Sequence, residues 1–522
     1  MTSMRTLAAL LLVLSTSATA GAQDLVLEDT VPDDAPRYFA VPFSVPAGTV
    51  EIEVRHDDLS DANILDWGLA DASGVRGWGG GNTEPAVVGV DAASRSYRPG
   101  PIEPGEWSVL VGLAKVSEPP ARYRIEIVFR TAATLVADPD RGAYVPAAPL
   151  ESEARWYAGD FHVHTRESGD ARATLDEAAA LAAERGLDFI ELSEHNTVSQ
   201  VDLLPAAQTR HPAVLLMPGS EVTTYAGHGN AIGTTAFVDF RVMSPPLAVT
   251  LETLTADARR DGLFAINHPA LALGDACIGC AWELPTPPAA IDAVEVQNGA
   301  YSVTGLLFYR QSLAFWDTLL DEGGHAAAIG GSDDHRAGVD LEGTQSPIGS
   351  PTTLVWAEEL SVAGILAGVA AGRTVVKLDG PDDPMVELFV NEQPLGSRVI
   401  APEVTLRAVV TGADGGTLLF VRNGETVERV PVDADPFETT LVVPAPAGDV
   451  DDRWRVQWNA RDPGVVTSHV WVAATGEAPV PDAGPTTTTP DEGCGCRTGG
   501  DTGSGALPLL LVFALLRQRK RC

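Results

Sequence analysis

Positive charge is scarce in this chain: 35 Lys and Arg stand against 71 Asp and Glu over 522 residues, a net charge of −36. Such a surface repels a polyanion and has no basic stripe to release counterions from a duplex, which excludes long nucleic acid as a partner. A small phosphorylated or neutral substrate stays open, because bound cations reverse the local field inside a site. Long apolar runs are also missing. The C-terminal one has only about eleven apolar residues, short of the roughly twenty that cross a bilayer comfortably. Repeats long enough for a solenoid or propeller are absent. Hydrophobic residues at 45% and charged residues at 20% exclude a disordered or coiled-coil chain and leave folded domains, about two to four by length.

The two ends read as addresses. Met1 to Arg5 is a charged start, Leu7 to Leu14 an apolar core, and Ala18, Ala20 and Ala22 a small-residue cleavage zone, so residues 1–22 are expected to be a secretory signal peptide. Residues 476–505 form a low-complexity tether with Thr486 to Thr489, Cys494 and Cys496. Residues 506–522 add an apolar stretch closed by Arg517, Arg519, Lys520 and Arg521. This end resembles the Cys-containing C-terminal sorting signals of myxobacterial surface proteins, which implies export and attachment to the membrane or outer envelope through the C-terminal segment.

Cysteine is nearly absent, with five in the chain. Cys277 and Cys280 form its one CxxC, which an exported protein uses as a small disulfide loop or as a metal clip; the compartment favours the disulfide.

Between the ends the pattern changes twice. Residues 24–135 show short alternating runs such as Val50 to Val54 and Tyr123 to Phe129 between Pro/Gly turns, an N-terminal β-sandwich with no assigned chemistry. Residues 153–381 alternate strands and helices. Thr174 and Glu177 make a capping box ahead of an alanine-rich helix ending near Gly186, and Leu306 to Glu322 reads as another, stopped by Gly323. That alternation predicts an α/β barrel. Residues 384–475 return to β runs with an Asn423-Gly424 hairpin turn, an immunoglobulin-like β-sandwich. The fold class expected is therefore multidomain α/β plus all-β.

Six of the ten histidines fall in short motifs of the middle region. His162-Val-His164 ends a strand, where side chains two apart share a side. Glu191-Leu-Ser-Glu194-His195-Asn196 ends the next, Gly219-Ser-Glu221 another with His228 seven residues on, then Asn267-His268-Pro269 and Gly331-Ser-Asp333-Asp334-His335. A lone histidine is more often a hydrogen-bonded structural residue. Five apolar runs that each deliver a ligand at the strand's C-terminal end, where α/β barrels carry their chemistry, reverse that reading. Mixed imidazole and carboxylate donors point to divalent Zn, Mn or Fe.

These five motifs, in this order, resemble the PHP family, named for polymerase and histidinol phosphatase, over under half of the chain. The resemblance implies a distorted (β/α)7 barrel with two to three divalent ions. It implies one ion on His162, His164, Glu221 and Asp333, with Glu221 bridging to a second on His228 and His268. A third would sit on His195 and His335, with Asp170 where some members place a histidine. Two departures bear on that third position: Glu194 replaces the usual aspartate, and Ser168-Gly-Asp170 replaces Ser-Asp-Gly. Pro99 to Trp107, Trp156 to Asp160 and Ser168 to Asp170 are similar to the branch that includes carbaryl hydrolase.

The activity expected is hydrolysis of small phosphomonoesters or diesters by metal-activated water. His335 or Glu194 would serve as proton donor, Arg336 as anion clamp, and Asn298 as a pocket residue. Hydrolysis of a carbamate, carboxylic ester or amide on the same centre is the alternative, and a non-catalytic surface scaffold the third reading.

Overall fold

The computed structural model describes residues 23–242, 249–341, 343, 345–447 and 450–473. The signal-peptide and tail readings, with Cys494, Cys496 and Cys522, lie outside them. The protein is mostly β, with multiple sheets and, among the described residues, five α-helices. None of these helices is long and apolar enough to cross a membrane.

Toward the N-terminus, two four-stranded antiparallel sheets enclose one core. One holds Gln23–Thr30, Arg122–Arg130, Glu51–Asp57 and Ala86–Gly89; the other holds Tyr38–Val45, Gly105–Lys115, Ile64–Asp71 and Gly74–Gly80. Strict alternation drives this: Tyr123, Ile125, Ile127 and Phe129 of one strand all turn inward, as a period of two requires. His56 stacks on Trp67 with ring centroids 4.7 Å apart, and burial pushes its imidazole down to about 4. Because that lies below the ordinary 6.5, the unfolded chain takes the proton first as pH falls. The neutral ring therefore stabilises the fold above about pH 6.5, and this is lost between there and pH 4. His56→Gln should flatten that loss, worth up to about 3 kcal/mol. Melting temperatures of both proteins across this pH range check it; parallel curves would refute it.

The middle region divides its strands between two sheets. Leu215–Pro218, Phe189–Leu192 and Arg155–Val163 run parallel, followed by antiparallel Thr352–Ala357 and Thr374–Lys377. The second sheet runs Glu221–Thr224, Gly227–Ile232, Leu263–Ile266, Ala293–Asn298 and Ala327–Gly331, antiparallel over the first pairs and parallel over the last. Isolated parallel bridges, His195 to Glu221 and Val163 to Asp334, join the sheets where the strands end. Those junctions bring the ligand motifs together.

Local signals behave as chemistry dictates. Thr174 and Glu177 form the reciprocal cap of helix Leu175–Glu184, and Gly186 follows at φ +73°. The long helix spans Val303–Asp321 and starts three residues earlier than its apolar run because Ser302 caps it, accepting from the Gly305 N–H.

The C-terminal β region does not begin a fresh sheet. Thr374–Lys377 pairs directly with Pro463–Thr467, and the ladder continues through Asp452–Asn459 and Thr417–Arg422 to Glu425–Pro431. A separate three-stranded sheet, Met385–Val390, Glu403–Thr411 and Phe437–Pro444, shares its core with them. Asn423 and Gly424 both have positive φ, +50° and +86°, the tight-turn geometry that the Asn-Gly pair supplies.

Candidate metal centre

Two histidines open the site. His162 lies on the strand Arg155–Val163 and His164 just beyond it, both fully buried. Glu221 starts a strand that turns back through Tyr225 and Ala226, so that His228 returns beside it in an antiparallel hairpin. The spacing of seven is thus a hairpin, whose return strand carries a ligand.

Glu221 is the hub. Its Oε1 lies 3.3 Å from His162 Nε2, 3.1 Å from His268 Nε2 and 3.4 Å from His228 Nδ1, while Oε2 lies 2.7 Å from His195 Nδ1. Asp333 Oδ1 lies 3.4 Å from His162 Nε2 and 3.2 Å from His164 Nε2. Donors bound to one tetrahedral ion at about 2.0–2.2 Å stand roughly 3.3–3.6 Å from each other, so these separations suit shared coordination. The Nε2 atoms of His162, His164 and His228 are buried with no hydrogen-bond partner. Buried polar atoms are rarely left so without a purpose, and the donor set fits a divalent cation.

The far ring nitrogens are fixed from behind. His162 Nδ1 lies 3.1 Å from Glu295 Oε1, His164 Nδ1 3.0 Å from Ser168 Oγ, and His268 Nδ1 3.2 Å from the Cys280 carbonyl. Donation from Nδ1–H to these acceptors leaves Nε2 free as a ligand atom. The Ser168 hydroxyl donates on to Glu194 at 2.6 Å, which keeps its oxygen available to accept from His164. His195 and His335 flank Asp170, each 3.4 Å from its Oδ2. One nitrogen each of His164, His195 and His335 lie within 4.8 Å of one another. The altered Ser168-Gly-Asp170 order therefore still brings a carboxylate to the third group.

Charge is interleaved throughout. Burial works against ionisation of His162, yet Asp333, Glu221 and Glu295 hold its imidazole well above the ordinary range. The same attraction, from His162, His228 and His195, holds Glu221 well below its own despite burial. His164 goes the other way: burial, then the charges of His335 and His195, push it down to about 3. His268 and Asp333 have φ of +25° and +56°, a sparsely populated region for side-chain-bearing residues that functional sites tend to retain.

Two expected roles are corrected. Glu194 is fully buried and accepts from Thr165 N–H, Thr165 Oγ1 and Ser168 Oγ. Burial raises it to about 7 against those hydrogen bonds; it supports His164 and does not face the ligand ring as a proton donor. Arg336 is no clamp: its guanidinium donates to the Asp340 carbonyl at 2.8 Å, within a loop that Asp334 ties down. His335 packs 4.2 Å from the His164 ring and beside Asp170, as a ligand-group member. Asn298 does stand at the ring, donating to Glu295 at 3.2 Å and to Asp333 at 3.5 Å. Cys277 and Cys280 are joined as a disulfide.

Sequence reasoning gave no role to four buried groups beneath the ligands. Asp160 accepts from the backbone N–H of His162, Ser332 and Gly349 at 3.0, 3.0 and 2.7 Å, clamping three strand ends. Glu295 braces His162 and accepts from the His268 N–H at 2.7 Å. Asn267 donates to Glu221 at 3.0 Å. Glu191 is held well above the carboxylate range, chiefly by burial. The available signal was a charge inside an apolar strand, as in Ala293-Val-Glu295-Val296, which demands a partner. Glu295→Gln removes half of that brace and should weaken metal affinity on the order of 10–100-fold, measured by competition with a chromophoric chelator; unchanged affinity would refute the role.

The N-terminal sheets also reach the site. Ser96 Oγ donates to the Glu167 carbonyl at 2.8 Å, and Tyr225 Oη, at the tip of the Glu221 hairpin, donates to Asp66 at 2.7 Å. A cavity of about 290 Å³ lies between them and the middle region, lined by Arg95, Arg141, Thr165, Arg166 and Arg210 among others.

No family model matches the sequence, and no curated protein matches it. Solved structures do. A two-domain protein from Bacteroides vulgatus, described as containing a predicted PHP-like metal-dependent phosphoesterase, is 20% identical over 63% of this chain and 100% of its own, with a TM-score of 0.35. An amidohydrolase from Chromobacterium violaceum, with bound sulfate and no metal, is 17% identical over 36% of this chain and 91% of its own, at a TM-score of 0.25.

Proposed function

We propose that this protein is a metal-dependent hydrolase of the PHP type, acting on small phosphate monoesters or diesters. The observation that carries the reading is the carboxylate of Glu221, which has nitrogens of four imidazoles within 3.4 Å, on segments far apart in the chain. In this reading the two middle sheets are the halves of a distorted (β/α)7 barrel, joined at the rim that bears the ligands, between an N-terminal and an immunoglobulin-like β-sandwich. The reading includes export and retention at the cell envelope, supported by the charged, apolar and small-residue pattern of residues 1–22 and by the Cys-containing, apolar and basic C-terminal segment.

His162, His164, Glu221 and Asp333 would hold one ion, His228 and His268 a second with Glu221 between, and His195, His335 and Asp170 a third. When bound, divalent Zn, Mn or Fe acidifies water and polarises a substrate oxygen. The chain's own part is positional. Glu295, Ser168 and the Cys280 carbonyl hold the imidazole protons on Nδ1, and Asp160 fixes the strand ends. Asn298 ties Asp333 to Glu295 through its side-chain amide and so orients both carboxylates.

The alternative, a carbamate, carboxylic ester or amide substrate, is favoured by one observation: of the three stretches similar to the carbaryl-hydrolase branch, two reach this centre, through Asp160 and through Ser168 to Asp170, while Pro99 to Trp107 lies in the N-terminal region. A parallel screen of p-nitrophenyl phosphate esters, nucleotides, 1-naphthyl carbamates and carboxylic esters on Mn-, Zn- and Fe-loaded protein decides between them. Turnover of phosphate esters that is lost in His162→Ala is expected. Turnover confined to the carbamates or esters would reject the phosphoesterase reading, and fewer than one ion per chain after gentle purification would favour the scaffold.

A further inference from the structure

The segment between Leu271 and Glu283 folds over the hairpin that carries Glu221 and His228. Its seat is tight: a Cβ on Gly279 would stand 2.4 Å from the Thr224 carbonyl, and Trp282 covers Gly227. The Glu283 N–H donates to the Ala226 carbonyl at 2.8 Å and the Trp282 N–H to the Pro269 carbonyl at 3.0 Å. This places Cys280, 1% exposed, against the second metal position. The Cys280 sulfur, one nitrogen of His228 and one of His268 lie within 4.8 Å of one another, and His228 Nε2 is buried without a partner. The sulfur is nevertheless tied to half-buried Cys277, whose Cα lies 5.6 Å away. A disulfide sulfur binds metal poorly, whereas a thiolate is among the strongest ligands for zinc-like ions.

We propose that the Cys277–Cys280 disulfide is a redox latch on the second metal position: when it opens, Cys280 becomes a ligand to the ion held by His228 and His268. The inference rests on the metal-centre reading above. The reductant is a small thiol. One thiol attacks the more accessible Cys277 sulfur, the S–S bond breaks and Cys280 leaves as the free thiol. A second thiol resolves the mixed disulfide, so that two thiols become one disulfide while the two cysteines gain two electrons and two protons. On ligation Cys280 gives its proton to solvent. With Glu221 the position then holds two imidazoles, a carboxylate and a thiolate, a closed four-ligand set of the kind that structural zinc sites use, whereas catalytic sites keep a position open. Reduction therefore converts a working position into a storage one.

Cobalt(II) loading of the full chain reads this directly, because thiolate ligation adds a near-ultraviolet sulfur-to-cobalt charge-transfer band to the weak visible bands of the ion. Oxidised protein should show the visible bands alone. Protein reduced with a phosphine, then desalted under inert gas, should gain the charge-transfer band. Cys277→Ser, with Cys280 always free, should show it without reductant, and Cys280→Ser should never show it. Visible bands without the charge-transfer band in both reduced wild type and Cys277→Ser would overturn the latch and leave the metal centre standing. The same band in reduced Cys280→Ser would also overturn it. No cobalt bands in oxidised wild type would remove the metal centre itself. Reduction of the unaltered chain keeps the test open if a variant fails to fold.

Discussion

Glu221→Gln is expected to lose at least one ion per chain and to lower kcat/KM on the order of 10³-fold, the consequence of removing several kcal/mol of metal-derived stabilisation. Glutamine keeps the shape of the side chain but has one acceptor oxygen where Glu221 has two. Its amide oxygen is expected at the Oε1 position, where Asn267 donates at 3.0 Å. The NH2 then faces the Thr223 hydroxyl, 3.4 Å from Oε2, and His195. The fold thus has a tolerable arrangement, and the damage falls on coordination: the NH2 cannot bridge, and the negative charge that offsets the surrounding imidazoles is gone. Metal analysis by mass spectrometry, steady-state kinetics and a melting curve together separate this from unfolding. Full metal content with full turnover would sink the assignment of Glu221 as bridge.

Most of the ligand ring was legible because metal ligands cluster at strand ends, and strand ends are visible as apolar runs that stop. His162, His164, His195, Glu221, His228, His268, Asp333 and His335 all converge. What was not legible is what lies one layer out. Glu194 and Arg336 sit beside ligands in the chain, and adjacency suggested participation. Side-chain direction alternates with position and loops curl back on themselves, so a neighbour in sequence is often turned away. Glu194 points to Thr165 and Ser168, and Arg336 to Asp340. The converse also holds: Asp160 and Glu295 act at the centre only because the strand Arg155–Val163 of one sheet meets the paired strands Ala293–Asn298 and Ala327–Gly331 of the other where the sheets join, information that no single segment carries.

The fold shows the same division. Alternation and caps located strands and helices to within a few residues, since these depend on local sterics and hydrogen bonding. Sheet membership depends on pairing across long separations. The strand Thr374–Lys377 looked like the end of the middle region, yet it hydrogen-bonds to Pro463–Thr467 and carries the sheet into the C-terminal one. An apolar β-branched strand records that both of its faces are covered and says nothing about which strand lies beside it.

Asp317 ties those two regions, and its removal is the strongest expected blow to stability. It closes the long helix Val303–Asp321 against the C-terminal sheet through a two-pronged pair with Arg455, at 2.6 and 2.9 Å. Arg455 is 2% exposed and lies over the Trp316 ring, 5.3 Å from its centroid, with Arg453 alongside reaching the Asp317 carbonyl and Asp321. Asp317→Ala leaves the Arg455 guanidinium buried beside a second guanidinium with no carboxylate in reach. Its neighbour His469, with Nε2 3.3 Å from Arg455 Nη1, is held uncharged by burial, then by Arg455 and Arg453; the neutral ring accepts a hydrogen bond but supplies no negative charge to replace the carboxylate. Breaking a buried pair from one side destabilises by about 3–5 kcal/mol, whereas replacing both partners with apolar groups is often near neutral. Asp317→Ala should therefore fall much further in denaturant midpoint than Asp317→Leu/Arg455→Met. If the single variant matches wild type, the pair is not what holds the helix to the sheet; if the double variant falls as far as the single, the loss comes from packing rather than from a stranded charge.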